Sequence, residues 1–195
     1  MITIGITGPT GSGKTTLLER IRARGGCILD LDAVYHELLQ SSEALRSALD
    51  ARFPGVIRDG ALDRKALGAI VFADEAALRD LNEITGGFIL AETDRRLAEA
   101  REAGVPVAAI DAINLLKGTL PERCDTTIAV IAPVEVRVQR LMVRDGITEE
   151  YARLRISAQE PDSYFTERCE HTLVNDGMTR EAFGERCDAL LDQLL

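Results

Sequence analysis

The run Gly8-Pro9-Thr10-Gly11-Ser12-Gly13-Lys14-Thr15 has the spacing G-x-x-x-x-G-K-[ST]. Its glycines allow the backbone to close round a polyphosphate so that successive N–H groups face the oxygens. Gly8, Gly11, Ser12 and Gly13 would form this cradle, backed by the positive end of the helix that follows. Lys14 would set its ammonium against the β- and γ-oxygens. Only 3 of the 23 basic residues are lysines, so a compact point charge at this position stands out in a chain that otherwise uses arginine. Thr15 offers a hydroxyl to Mg²⁺, and Thr16 either begins the helix or meets the α-phosphate. Kinases, GTPases and ATPase motors all use such a loop, but Lys65 and Lys117 lie in no guanine-reading Asn-Lys-x-Asp segment, which argues against a GTPase.

A second chemical signal is Asp30-Leu31-Asp32, at the carboxyl end of a predicted strand, where open α/β sheets gather ligands. Strand alternation would point both carboxylates the same way. One could sit near Mg²⁺ or its waters while the other takes a proton from an acceptor hydroxyl; capping of the next helix is the alternative for either. Arg137, Arg140 and Arg144 share helical spacing, so they form either a cationic site or a solvated helix face.

The elements that must carry these residues follow from apolar patterning. Strand-length runs at Ile2 to Thr7, Cys27 to Leu31, Pro106 to Asp111, Thr126 to Ile131 and Thr172 to Val174 alternate with segments of helical period, the pattern of a parallel sheet covered by helices. From Ala33 to Gly104 no strand is expected, and Phe53-Pro54-Gly55, Asp59-Gly60 and Gly86-Gly87 read as breaks between helices. Residues 59 to 101, approximately, form an inserted helical region within a single domain, since no Ser/Gly/Pro-rich linker bounds them. Residues 141 to 160 form a lid: Asp145-Gly146 ends one helix and Thr148 caps the next. The fold class is therefore α/β, a three-layer sheet of the P-loop type with an inserted helical region and a lid.

Composition narrows the setting. The 195 residues, 46% hydrophobic and 28% charged, suffice for a core without staples. A net charge of −9 repels a phosphate backbone, so no nucleic-acid partner is expected. The four cysteines have no C-x-x-C spacing and read as reduced thiols; with no apolar run approaching 18 residues, a cytoplasmic protein without a membrane partner is expected. The oligomeric state is open.

Taken together, the P-loop, Asp30-Leu31-Asp32, Asp59-Gly60-Ala61-Leu62-Asp63-Arg64 with Leu67 and Phe72, Arg140 with Arg144-Asp145, Arg155-Ile156, Gln159 and Leu173-Val174-Asn175 resemble the dephospho-coenzyme A kinase family over nearly the whole chain. The resemblance implies a kinase using Mg²⁺ and ATP, with dephospho-CoA as its small-molecule acceptor and the ribose 3′-hydroxyl as the attacking group. It implies that Asp32 is the general base facing the acceptor. Lys14 with the lid arginines Arg140 and Arg144 would stabilise the transferring phosphoryl group, and Arg64 would hold the acceptor. Asp111 would hold a magnesium water, unless it is a strand-end cap. Three positions depart from the family pattern: Gly86-Gly87 replace His-Pro, Ile113-Asn114-Leu115-Leu116-Lys117 replace Pro-Leu-Leu-Phe-Glu, and His36 replaces an arginine. His36 is either a second acceptor contact or an exposed helix residue. These departures leave two alternatives: a relative acting on a nucleoside, nucleotide or other small hydroxyl compound, and a nucleotide-binding regulator without efficient transfer.

Overall fold

The structure is a computed structural model that describes residues 1 to 58 and 60 to 195. Asp59, at the edge of the expected insertion, lies outside the described residues. The elements run β1 (Ile2–Thr7), α1 (Lys14–Ala23), β2 (Cys27–Asp30), α2 (Leu31–Ser41), α3 (Glu43–Arg52), β3 (Ile57–Arg58), β4 (Ala61–Leu62), α4 (Arg64–Val71), α5 (Glu75–Glu102), β5 (Val107–Asp111), β6 (Thr126–Ile131), α6 (Val134–Asp145), α7 (Glu149–Ser157), α8 (Asp162–Thr166), β7 (His171–Val174) and α9 (Arg180–Leu194), with a 3-10 turn at Leu120–Arg123. The main sheet has the order β2-β5-β1-β6-β7, and β1 pairs in parallel with β5 and β6, as β6 does with β7.

Two compact units emerge, Met1–Leu29 with Ala100–Leu195, and Asp30–Glu99. In the first, Ile4 and Ile6 of β1, Ala109, Ile128 and Val130 from the neighbouring strands, and Leu17, Ile21, Phe183 and Leu191 from α1 and α9 form a dry core. A continuous apolar run is what a strand covered on both faces requires. The same unit contains α6 and α7, which pack through Val138, Leu141, Ala152 and Ile156. Gly146 ends α6 in the left-handed conformation (φ 64°) and Thr148 caps α7 through Tyr151 N, the helix break and cap expected from the sequence.

The helical unit differs from expectation in three ways. It begins at Asp30 rather than near residue 59, because Leu39, Leu45 and Leu49 of α2 and α3, with Phe53 just after α3, share one core with Leu67, Val71 and Ala77. It contains a small antiparallel pair, Ile57 with Leu62 and Arg58 with Ala61, two residues per strand and too short to give an alternating pattern. Gly86-Gly87 also does not break the chain, since both lie inside the 28-residue α5. Two mid-helix glycines cost about 1 kcal/mol each relative to alanine. Ile84 and Phe88 on either side pack against the unit's core and hold the helix through them.

Candidate active site

The cradle is set by close approach. Gly8 has φ 137°, and a Cβ there would stand 2.0 Å from the Val130 carbonyl oxygen of β6; Gly13 has φ 108°, and its Cβ would stand 2.3 Å from Asn175 Nδ2. No side chain fits at either position, so the loop lies flush against the strand ends. Gly13 is the N-cap of α1, with no side-chain cap and no acidic residue in the first turn. An uncapped first turn presents N–H groups and partial positive charge to an anion. Ser12 is 1% exposed, and its buried Oγ has no hydrogen-bond partner among the described residues.

The loop's carbonyls are held by side chains. Lys14 Nζ donates to Gly8 O at 2.8 Å. Arg140 Nη1 donates to Gly11 O and Ser12 O at 3.1 and 3.2 Å, and its Nη2 to Asn175 Oδ1 at 2.9 Å. Asn175 Nδ2 in turn donates to Ser12 O at 3.0 Å. Asn175 is 3% exposed, and burial moves the Arg140 guanidinium below its ordinary pKa. Arg140 therefore meets the backbone of the cradle. Arg144 is paired with Asp145, whose second partner is Arg155; the two guanidiniums, Arg144 foremost, lower the Asp145 carboxyl to about 2.

Thr15 is exposed at the second position of α1, and Asp111 is half-buried at the end of β5, in register with Ile6 two residues before the loop. A hydroxyl and a carboxylate are hard oxygen donors of the kind Mg²⁺ accepts. Among the described residues no three His, Cys, Asp or Glu side chains converge. The donor set thus fits a cation shared with phosphates and waters rather than an all-protein cage. Thr16 lines a cavity of about 650 Å³ beside the cradle, together with Gly13, Gln139, Arg140, Asn175 and Met178. Sequence reading missed this cavity because three distant stretches build it; its one linear signal is an asparagine directly after the last strand.

The acceptor-side candidates lie in the helical unit. Asp30 caps α2: its Oδ1 accepts from Asp32 N at 3.0 Å and Ala33 N at 3.1 Å. The chain has left the strand at Asp30, so alternation does not govern the pair, and the parallel carboxylates expected from it are replaced by one capping and one exposed carboxylate. Asp32 stands exposed in the first turn of α2. His36 Nδ1 donates to Asp32 O at 2.6 Å, one turn further on. Tyr35 is half-buried; burial raises its hydroxyl pKa, opposed by the charge of Arg64, and Arg64 itself is exposed at the start of α4.

Comparison with known proteins identifies the family. Residues 2 to 181 match the family model for dephospho-CoA kinase. A protein of Burkholderia lata named dephospho-CoA kinase is 36% identical over an alignment covering all of this chain and 96% of that one. The crystal structure of TT1252 from Thermus thermophilus superposes with a TM-score of 0.76 at 32% identity, covering 100% of this chain and 98% of that one. A dephospho-CoA kinase from Campylobacter jejuni shares the fold at a TM-score of 0.62 and 20% identity, over 98% and 96% of the two chains.

Proposed function

Because this chain belongs to the dephospho-CoA kinase family, we infer that it is a kinase that transfers the γ-phosphoryl group of ATP to the ribose 3′-hydroxyl of dephospho-CoA, giving coenzyme A and ADP. The observation that carries the donor half is the uncapped first turn of α1, whose preceding loop admits no Cβ at Gly8 or Gly13. N–H groups of Gly11, Gly13, Lys14 and Thr15 hold the phosphate oxygens, and Thr16 lies in the cavity that takes the base and sugar. Lys14 neutralises charge on the oxygens of the transferring group, which is loose and anionic in the transition state. Thr15 and Asp111 would hold Mg²⁺, which when bound would supply positive charge against the phosphate oxygens.

On the acceptor side, Asp32 accepts the proton of the 3′-hydroxyl as its oxygen bonds to phosphorus and the bond to the ADP oxygen breaks. His36 and Arg64 bind the acceptor; Arg64 supplies an exposed cation suited to its diphosphate. Arg140 serves the phosphates through the cradle it holds, and Arg144 reaches the transferring group on release from Asp145. Lys117, where the family pattern is acidic, pairs with Glu160 at 3.5 Å. Nucleic acid is not a partner of a chain with charge −9. No helix among the described residues is long and apolar enough to cross a membrane, and four free cysteines suit the reducing cytoplasm.

The test is to incubate the purified protein with Mg-ATP and dephospho-CoA and follow the acceptor by mass spectrometry. Gain of one phosphoryl group at the 3′ position is expected. Phosphorylation of a nucleoside or nucleotide in preference to dephospho-CoA would overturn the acceptor assignment.

A further inference from the structure

Thr10, in the middle of the phosphate loop, is gripped by side chains from outside the loop at both of its backbone polar groups. Its N–H donates to Gln159 Oε1 at 3.0 Å, and its carbonyl accepts from Arg137 Nε at 2.9 Å. Arg137 Nη2 also donates to the same Gln159 Oε1 at 2.9 Å, closing a three-membered ring of hydrogen bonds. Arg137 is 3% exposed; its remaining charge partner is Asp162 at 3.6 Å. Burial lowers its pKa from the ordinary value, and a buried guanidinium persists only where its donors are satisfied. Gln159 lies just past the C-terminal end of α7, its own N–H bonded to Ile156 O, so the amide that holds the loop is attached to the end of that helix.

We propose that Arg137 and Gln159 are positioning residues that fix the conformation of the phosphate loop at Thr10, so that removing either weakens nucleotide binding without touching the acceptor. Neither residue need meet the nucleotide: they hold the peptide units on both sides of Thr10 in the orientation that the following N–H groups require. Gln159 is essential to the arrangement because one oxygen accepts from both the loop and the arginine. A glutamate there presents the same acceptor, and a methionine of similar length presents none.

This inference rests on the kinase reading only in taking Mg-ATP as the ligand, and its calorimetric test uses no acceptor. Calorimetry with a non-hydrolysable ATP analogue and Mg²⁺ should show about tenfold weaker binding for Arg137→Met and for Gln159→Met, the scale of one buried hydrogen-bond group left unsatisfied. Gln159→Glu should bind within about threefold of the parent. The double methionine variant should fall well short of the hundredfold loss that independent sites would give. In steady state the KM for ATP should rise while that for dephospho-CoA stays unchanged. Parent-like analogue binding in both folded single variants would overturn the proposal, as would a hundredfold loss in the double variant or a Gln159→Glu variant no better than Gln159→Met. Failure of the parent enzyme to phosphorylate dephospho-CoA would refute the acceptor assignment and leave these binding results standing.

Discussion

The cradle and the acceptor-side residues are built by different means. Around the loop, the carbonyls of Gly8, Thr10, Gly11 and Ser12 are all engaged by Lys14, Arg137, Arg140 or Asn175 side chains, and the backbone approaches β6 too closely for any Cβ at Gly8. In the helical unit, Asp32, His36 and Arg64 are exposed on helix surfaces and are positioned by caps: Asp30 on α2, and Asp63 on α4 through Ala66 N at 2.9 Å. The donor side is thus preorganised by backbone geometry, as charge stabilisation requires. The acceptor side takes its shape from a few helix ends and ion pairs, a construction that tolerates substitution. The departures His36 and Gly86-Gly87 fall in the helical unit, whereas the phosphate loop keeps every motif residue.

Substitutions sharpen that contrast. The largest effect is expected at Lys14: Lys14→Met should lower kcat by a factor on the order of 10³ and also weaken Mg-ATP binding, measured by coupled ADP release and calorimetry. Asp32→Asn should lower kcat by a factor on the order of 10² with ATP affinity near that of the parent; unchanged turnover would remove Asp32 from the mechanism. Arg64→Ala should raise the KM for dephospho-CoA about tenfold, the scale of one lost charge-assisted contact, and leave the KM for ATP unaltered. A shared rise in both constants would erase the distinction between the two sides.

The smallest effect concerns stability. Glu92, half-buried on α5, is paired with Arg95 and Arg96, and Arg96 also pairs with Glu37 of α2. Arg95, then Arg96, lower the Glu92 carboxyl to about 2 from its ordinary 4.5. A carboxyl with a depressed folded-state pKa binds fewer protons in the folded chain. Its stabilisation is therefore complete above pH 4.5 and is lost as pH falls toward 2. Glu92→Gln should remove up to about 1 kcal/mol at pH 7 and flatten the decline in urea midpoint between pH 4.5 and 3; an undiminished decline would assign the acid sensitivity elsewhere.

Much of this was legible in the linear chain. The inner strands β1, β5 and β6 announce themselves because strands covered on both faces must be largely apolar, the edge strands β2 and β7 by shorter apolar runs, and the loop announces itself because close backbone approach admits only glycine. The antiparallel pair of Ile57–Arg58 with Ala61–Leu62 was invisible, being shorter than any periodic window. Gly86-Gly87 misled because local propensity reads glycine as a break, whereas packing by Ile84 and Phe88 carries α5 through it. Strand alternation at Asp30-Leu31-Asp32 gave the wrong geometry because the helix begins one residue earlier than the apolar run suggests.

By itself, then, the sequence determined the sheet, the phosphate loop and the family, since each depends on residues that are neighbours along the chain or recur with a fixed period. Only the tertiary structure decided which arginine does what. Arg137, Arg140 and Arg144 are equivalent by spacing, yet one is buried on Thr10, one spans Gly11, Ser12 and Asn175, and one faces Asp145. Their different partners come from segments up to 129 residues away, and a hydrogen-bond partner brought in by folding leaves no mark on the local pattern.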